Sequence, residues 1–245
     1  MLKKDQAVCL RKVDYSETSQ VVTLFTRDSG KLSAIAKGAK RSKSPFDGPI
    51  ESFAFGDIVF TQSHTDKLAT LTEFLQKPVF LNLRKKLFNL NCALFAAELL
   101  DSFTRDTNPH PELFDSFIRF LNDVQNAEDD FNSLGLLILF QLALLNEVGT
   151  RPVLNRCTNC KVSFTNNWRQ TYFSSLANGL VCPDCEQAFA DKIKLSKNCA
   201  SCLNNLKLIT SADKKTLDEI EKILVYHFTE LMHRRPKMAK YFLKR

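Results

Sequence analysis

Residues 20–44 read QVVTLFTRDSGKLSAIAKGAKRSKS. Apolar side chains recur at alternate positions through Gln20–Thr26 and again through Lys31–Lys37, the period of strands with one buried face. Asp28-Ser29-Gly30 supplies turn chemistry between them, so the stretch predicts a hairpin. The second strand then runs into Lys37, Lys40, Arg41 and Lys43, interrupted only by Gly38 and small residues. From Arg27 to Lys43 there are six basic residues and one acid, Asp28. A strand that empties into an uncompensated basic loop raises both the fold question and the functional one.

Outward from the hairpin, Ala7–Val13, Asp57–Ser63 and Leu68–Phe74 are three further candidate strands. Five short strands within residues 1–77 predict a small closed barrel. An OB-fold is the commonest of that size, and a five-stranded SH3-like barrel fits the periodicity as well. Residues 78–245 read as helical. Leu81–Phe103 is a long apolar helix behind Arg84-Lys85-Lys86, and Pro111 opens a second helix at N1, where its missing N–H costs nothing. Phe131–Val148 makes a third, with Gly149 as its C′ residue. Thr210-Ser211-Ala212-Asp213 reads as a capping box before the stripe Leu217, Ile220, Ile223, Leu224, Phe228 and Leu231. Residues from about 151 to 205, rich in Cys, Asn and Ser, interrupt the helical pattern as an insertion. The expected class is α+β, a barrel domain over 1–77 and a helical domain over 78–245.

Composition narrows the function classes. The net charge of +7 is unevenly spread: residues 1–80 carry 12 Lys+Arg against 9 Asp+Glu, 81–156 carry 7 against 10, and 206–245 carry 10 against 5. Basic ends and an acidic middle favour a polyanionic partner. The most apolar run, Leu134–Leu145, is 12 residues long and holds Gln141, short of a bilayer span. Asp5 and Gln6 follow the N-terminal lysines where a leader would be apolar. No membrane association and a cytoplasmic location are expected. With 7 glycines and no G-x-x-x-x-G-K-[ST], G-x-G-x-x-G or G-x-S-x-G, the chain carries no phosphate cradle or nucleophile elbow. Nothing in it reads as an enzyme's active site.

Six of the eight cysteines form C-x-x-C pairs, a pattern of metal ligation rather than oxidation. CTNC at 157–160 and CPDC at 182–185 are 21 residues apart. Two such knuckles turn four sulfurs toward one tetrahedral ion, so Cys157, Cys160, Cys182 and Cys185 are assigned to one structural Zn2+ per chain. Four thiolates leave no open position for a reacting water. The deaminase signature H-x-E before P-C-x-x-C is absent as well. Cys199 and Cys202 are left outside the ligand set, and Cys9 and Cys92 are read as small packed hydrophobes.

A basic run is often only a solvated loop. Here it adjoins a small barrel, a common oligonucleotide seat, contains Gly38 and lacks interleaved acids. The cations expected to follow phosphates are Arg27, Lys31, Lys37, Lys40, Arg41 and Lys43, with Arg11 and Lys12 as a neighbouring patch. Among Tyr15, Phe25, Phe53, Phe55 and Phe60, the phenylalanines suit a barrel core, and Tyr15 is the candidate for stacking on a base.

RKVDYSETSQVVTLFTRDSGKLSAIAKGAKRSKSPFDGPI, residues 11–50, resembles the N-terminal domain of the bacterial recombination-repair mediator family RecO. The residues that carry it are Asp14-Tyr15, Glu17-Thr18, Thr26, Gly30-Lys31-Leu32, Gly38-Ala39 and Lys40-Arg41. YFSSLANGLVCPDC is similar to a second motif of that family, through Phe173-Ser174, Gly179, Cys182 and Cys185, and RRPKMAKYF is a weaker third likeness. The resemblance implies an OB-fold followed by a helical domain with a zinc-binding insertion. It also implies binding of single- and double-stranded DNA, strand annealing, and partnership with RecR and single-strand-binding protein in loading RecA. The chain departs from the pattern at Ser16, where many relatives carry Gly, and at Met238-Ala239-Lys240, where the family often shows Lys-Ser-Arg. The reading of a different class is a zinc-ribbon adaptor that binds protein through the acidic helical middle, with only nonspecific DNA binding.

Overall fold

The computed structural model describes residues 2–61 and 68–243. Five strands, β1 (Leu2–Asp14), β2 (Gln20–Thr26), β3 (Gly30–Ala36), β4 (Phe55–Thr61) and β5 (Ala69–Lys77), close a barrel in the order β1-β2-β3-β5-β4. Neighbouring strands are antiparallel except for β3 and β5, which run parallel through Ala34↔Ala69, Ile35↔Thr70 and Ala36↔Leu71. That order, with its parallel closing pair, is an OB-fold. It decides between the two barrels that periodicity left open. β2 has the expected bounds, whereas β1 starts five residues earlier than Ala7. The long β1 serves two partners, Leu2–Val8 on β4 and Ala7–Asp14 on β2, and a bulge between Cys9 and Arg11 turns it from one to the other. The last two residues of the expected Asp57–Ser63 strand lie outside the described ones.

The barrel core is small and alternating: Val22, Leu24, Leu32, Ala34, Ala36, Ile58, Phe60, Leu71 and Phe74. Ala39, Phe46 and Ile50 join it from the segment between β3 and β4, so the basic loop is anchored by three buried side chains. Phe25 and Phe55 point the other way, toward Phe114, with ring centroids 5.9 and 6.5 Å apart.

By packing, the chain divides into two compact units, Met1–Lys85 with Leu100–Gln125, and Lys86–Leu99 with Asn126–Arg245. The helices are α1 (Leu87–Phe103), α2 (Pro111–Gln125), α3 (Asp130–Glu147), α4 (Lys197–Asn204) and α5 (Lys214–Met232). Pro111 opens α2 as expected, and Gly149 follows α3 at φ +75°. The single helix expected over Leu81–Phe103 is broken. Leu81–Lys85 is a 3-10 turn, and the α-helix begins at Leu87. Three cations at a helix N-terminus oppose its dipole. Lys86 instead gives its Nζ to the carbonyls of Ala127 and Glu128, each at 2.8 Å. The capping box expected at Thr210 is also displaced: Leu206–Ser211 is a 3-10 turn, and the N-cap of α5 is Asp213, whose Oδ1 accepts from Thr216 N–H at 2.7 Å. Among the described residues no helix is long and apolar enough to cross a membrane.

In the second unit, α3 is buried along most of its length and meets α5 through a polar pair. Gln141 donates from Nε2 to Oε1 of the buried Glu221 at 3.0 Å. Burial raises the Glu221 carboxyl from 4.5 to about 7, and the Gln141 donor opposes the shift. The folded state therefore holds a proton that the unfolded chain releases near its ordinary pKa. Stability from this group is fully present below that value and is lost as pH climbs to about 7, on the order of 3 kcal/mol. Glu221→Gln is expected to remove that part of the pH dependence. Denaturation midpoints of wild type and variant between pH 4.5 and 7 check it, and parallel profiles would contradict the assignment.

Candidate metal centre and nucleic-acid interface

The cysteine segment has more regular structure than its polarity suggested. β6 (Thr171–Ser174), β7 (Gly179–Val181) and β8 (Ile193–Leu195) form a three-stranded sheet in the order β7-β6-β8. A tight turn at Asn178 (φ 51°) delivers Gly179 at φ +148° against Val153. A Cβ there would lie 2.3 Å from the Val153 carbonyl oxygen, so only glycine fits. Val153 N–H donates to Asn178 O and Leu180 N–H to Val153 O, both at 2.9 Å. This stitch brings the segment that leads into Cys157 alongside β7, which leads into Cys182. Asp191 locks the turn from behind, accepting from Ser174 Oγ at 2.7 Å, Leu176 N–H at 3.0 Å and Tyr226 Oη at 3.3 Å.

The sulfurs of Cys157, Cys160, Cys182 and Cys185 all lie within 4.8 Å of one another. Sγ of Cys160 and Cys182 are 3.6 Å apart, close to the ~3.8 Å edge of a tetrahedron with bonds of about 2.3 Å. Cys182 N–H points at Cys157 Sγ and Asn159 Nδ2 at Cys185 Sγ, at 3.4 and 3.3 Å, donors that favour thiolates. Burial works against ionisation of Cys157, yet the backbone donors prevail and bring its pKa down to about 7. Burial, with the neighbouring sulfurs, pushes Cys182 up to about 12. A cation seated among the four sulfurs would favour the thiolate form of each. The four cysteines can hold a metal ion. Cys199 and Cys202 lie buried on α4 outside this set, and burial raises both thiols.

On the barrel, the structure sorts the nine residues expected to meet a nucleic acid. Lys40 N–H donates to Thr18 O at 3.0 Å and Gly38 N–H to Ser19 Oγ at 3.2 Å, so the loop after β3 docks on the β1–β2 turn. Gly38 takes φ +75°, and its role is this turn. One rim thus gathers Tyr15, which is 69% exposed, with Lys37, Lys40, Arg41 and Lys43. Arg11 is exposed on β1, next to the bulge. Among the described residues, no carboxylate lies within ion-pair distance of Arg11, Lys37, Arg41 or Lys43.

The expectation that no acid neutralises the run is corrected at four cations. Lys40 meets Asp14 at 3.1 Å, and this contact with the Gln20 donor holds the Asp14 carboxyl below its ordinary value. Lys12 meets Glu51 at 2.5 Å. Arg27 forms a two-pronged pair with Asp115, at 3.0 and 2.9 Å, and also reaches Asp28. Lys31, with 11% of its side chain exposed, reaches Asp101 Oδ1 and O at 3.0 and 2.6 Å. Its N–H and C=O also face the stretch around Asp106 and Thr107. Nor is the band continuous. Arg27 and Lys31 sit at the far end of the β2–β3 hairpin from Lys37, about 20 Å away along seven-residue strands. Apart from Asp28, the acids come from residues 26 to 88 positions away in sequence, which no local charge count reveals. Phe25, Phe53, Phe55 and Phe60 are all buried, but of the four only Phe60 belongs to the barrel core, whereas Phe25 and Phe55 face Phe114.

Residues 1–77 match the family model described as Recombination protein O N terminal, and residues 84–239 match Recombination protein O C terminal. The chain belongs to the RecO family. It is similar to the DNA repair protein RecO of Alkaliphilus metalliredigens, 31% identical over 92% of this chain and 86% of that one. The DNA repair protein RecO of Rhodopirellula baltica is 31% identical over 86% and 77%, and that of Bacillus subtilis 30% over 83% and 76%. Membership in the RecO family gives the chain a role in DNA repair. The family motifs now have physical reasons: Asp14 and Lys40 are ion-paired, Gly38 makes the loop's turn, and Gly179 and Ser174 shape the turn behind the cysteine cluster.

If the four cysteines hold one ion, protein purified without chelator is expected to contain about one zinc per chain. Cys157→Ser or Cys182→Ser should lose the metal and lower the denaturation midpoint, whereas Cys199→Ser should keep the metal. Elemental analysis beside a melting curve checks this; a metal-free wild type of equal stability would refute it.

Proposed function

We propose that the chain is a non-enzymatic, DNA-binding mediator of recombinational repair that works in the cytoplasm on the nucleoid. It binds single and double strands, anneals complementary strands, and with RecR helps RecA onto strands coated by single-strand-binding protein. The single observation that carries this reading is the barrel rim. Arg11, Lys37, Arg41 and Lys43 stand exposed without acidic partners among the described residues of an OB-fold, in the loop and strand region that also displays Tyr15. Phosphates would be met by these four cations and a base by Tyr15. Lys40 and Lys12 would reach DNA only in competition with Asp14 and Glu51, while Arg27 and Lys31 support the fold at the far end of the hairpin from the rim. Annealing needs no catalytic group. Two backbones held on one basic surface repel each other less, and base pairing supplies the specificity. The membership in the RecO family supports the partners, and the cysteine set supports a structural Zn2+ in a closed shell.

Four neutralised phosphates give a log–log salt slope of about −3 for single strands. Lys37→Glu, Arg41→Glu and Lys43→Glu combined are expected to weaken binding of a labelled oligonucleotide at least tenfold and flatten the slope by about 2, with the melting temperature unchanged. Lys31→Ala is expected to do the reverse, lowering the melting temperature with little change in slope. Fluorescence anisotropy against salt checks both, and a rim variant with wild-type affinity and slope would refute the interface.

A further inference from the structure

The cysteine module carries a basic groove that the barrel reading does not use. Residues 157–205 hold five basic side chains and three acidic ones. The structure spends two of the five locally: Lys192 pairs with Glu186 at 3.3 Å, and Lys161 donates to the Thr158 carbonyl. Of the acids, Asp191 is taken up by Ser174, Leu176 and Tyr226, Glu186 by Lys192, and the exposed Asp184 is outside the groove's lining. The three remaining cations, Arg169, Lys194 and Lys197, are all exposed. They line one groove of about 380 Å³ together with Trp168 and Ser196. Among the described residues none of the three has a carboxylate within ion-pair distance. Glu219, which lies beside Ser196, spends both oxygens on it, accepting from Ser196 N–H at 2.7 Å and Oγ at 2.6 Å.

The aromatic member is built in. Trp168 packs against the buried Cys157, Val181 and Cys182 and stands edge-on to Phe164, with centroids 5.4 Å apart. Its N–H donates to the Thr165 carbonyl at 3.1 Å through the backbone, which fixes the turn that presents it. Lys194 lies opposite Tyr172 across the β6–β8 pair and points to the same face. Gln170 pins this corner, donating from Nε2 to the carbonyls of Thr171 and Leu195 at 2.9 and 2.7 Å. A fixed indole flanked by three unpaired cations is the chemistry of a stacking platform for a polyanion that carries flat rings.

We infer that the groove of Trp168, Arg169, Lys194 and Lys197 is a second seat for single-stranded nucleic acid, placed on the metal module. A base stacks on the indole and the adjoining phosphates meet the three cations. The four cysteines then act as the rigid support that holds the indole in place. An acidic peptide would satisfy the cations but leave the indole face without a planar partner.

Trp168 is the only tryptophan of the chain, so its emission reports this groove alone. The full-length, metal-loaded protein is titrated with a thymidine oligonucleotide, and indole emission is followed beside the anisotropy of a label on the DNA. The expected result is saturable quenching that persists in the Lys37→Glu, Arg41→Glu, Lys43→Glu variant of the barrel. In the Arg169→Ala, Lys194→Ala, Lys197→Ala variant, quenching should require at least tenfold more oligonucleotide, with zinc content and melting temperature unchanged. Lys194→Arg should restore part of the loss in a background where the other two are native and Lys194→Ala has weakened quenching. No quenching at oligonucleotide concentrations that saturate the anisotropy overturns the second seat and leaves the barrel interface standing. Quenching unaltered by the triple alanine variant overturns it too, as does quenching by poly-glutamate but not by the oligonucleotide.

Discussion

The parallel contact between β3 and β5 is the constraint from which the rest of the N-terminal unit follows. Three residue pairs close the barrel there, and β3 cannot turn directly into a neighbour, so the chain must cross the barrel's end before it re-enters as β4. That crossing is made tolerable by Ala39, Phe46 and Ile50, which enter the core. With these apolar anchors directed inward, the lysines and arginine between them have nowhere to go but outward. The basic rim is thus a consequence of how the barrel closes, and its docking on the β1–β2 turn is what sets Tyr15 beside it.

Charge then divides into two kinds. Lys31, largely enclosed beside the carboxylates of Asp101 and Asp106, is costly to unpair because burial leaves it little water to fall back on. The exposed pairs of Lys12, Arg27 and Lys40 contribute little stability each, since solvent screens them. Their greater effect is on the field, because each cancels a cation that would otherwise attract a phosphate. What remains is a smaller surface than the sequence advertised. Arg11, Lys37, Arg41 and Lys43 keep their full charge, and the same division on the cysteine module leaves Arg169, Lys194 and Lys197.

Much of this was legible in the residues alone. Alternation located all five barrel strands, with β2 correct to the residue, because one face of each strand is buried and the other is not. The C-x-x-C spacing selected the four sulfurs that do converge, since two knuckles need only a local turn each. Where the reading failed, the cause was a partner distant in sequence. Arg27 is answered by Asp115 and Lys31 by Asp101, neither visible to a window of a few residues. The carbonyls of Ala127 and Glu128 draw Lys86, and the expected helix starts late, at Leu87. The small sheet of the cysteine module escaped for another reason: strands of three and four residues are too short to show a period.

The central claim is that the unpaired cations of the barrel rim, and not the paired ones, carry the nucleic acid. Lysine acetylation read by mass spectrometry, with and without a saturating single-stranded oligonucleotide, tests it residue by residue in the intact protein. The account predicts that Lys37 and Lys43 become protected when DNA is bound, while Lys31 keeps the same low reactivity in both states. Lys37 and Lys43 modified as fast with DNA as without it would contradict it.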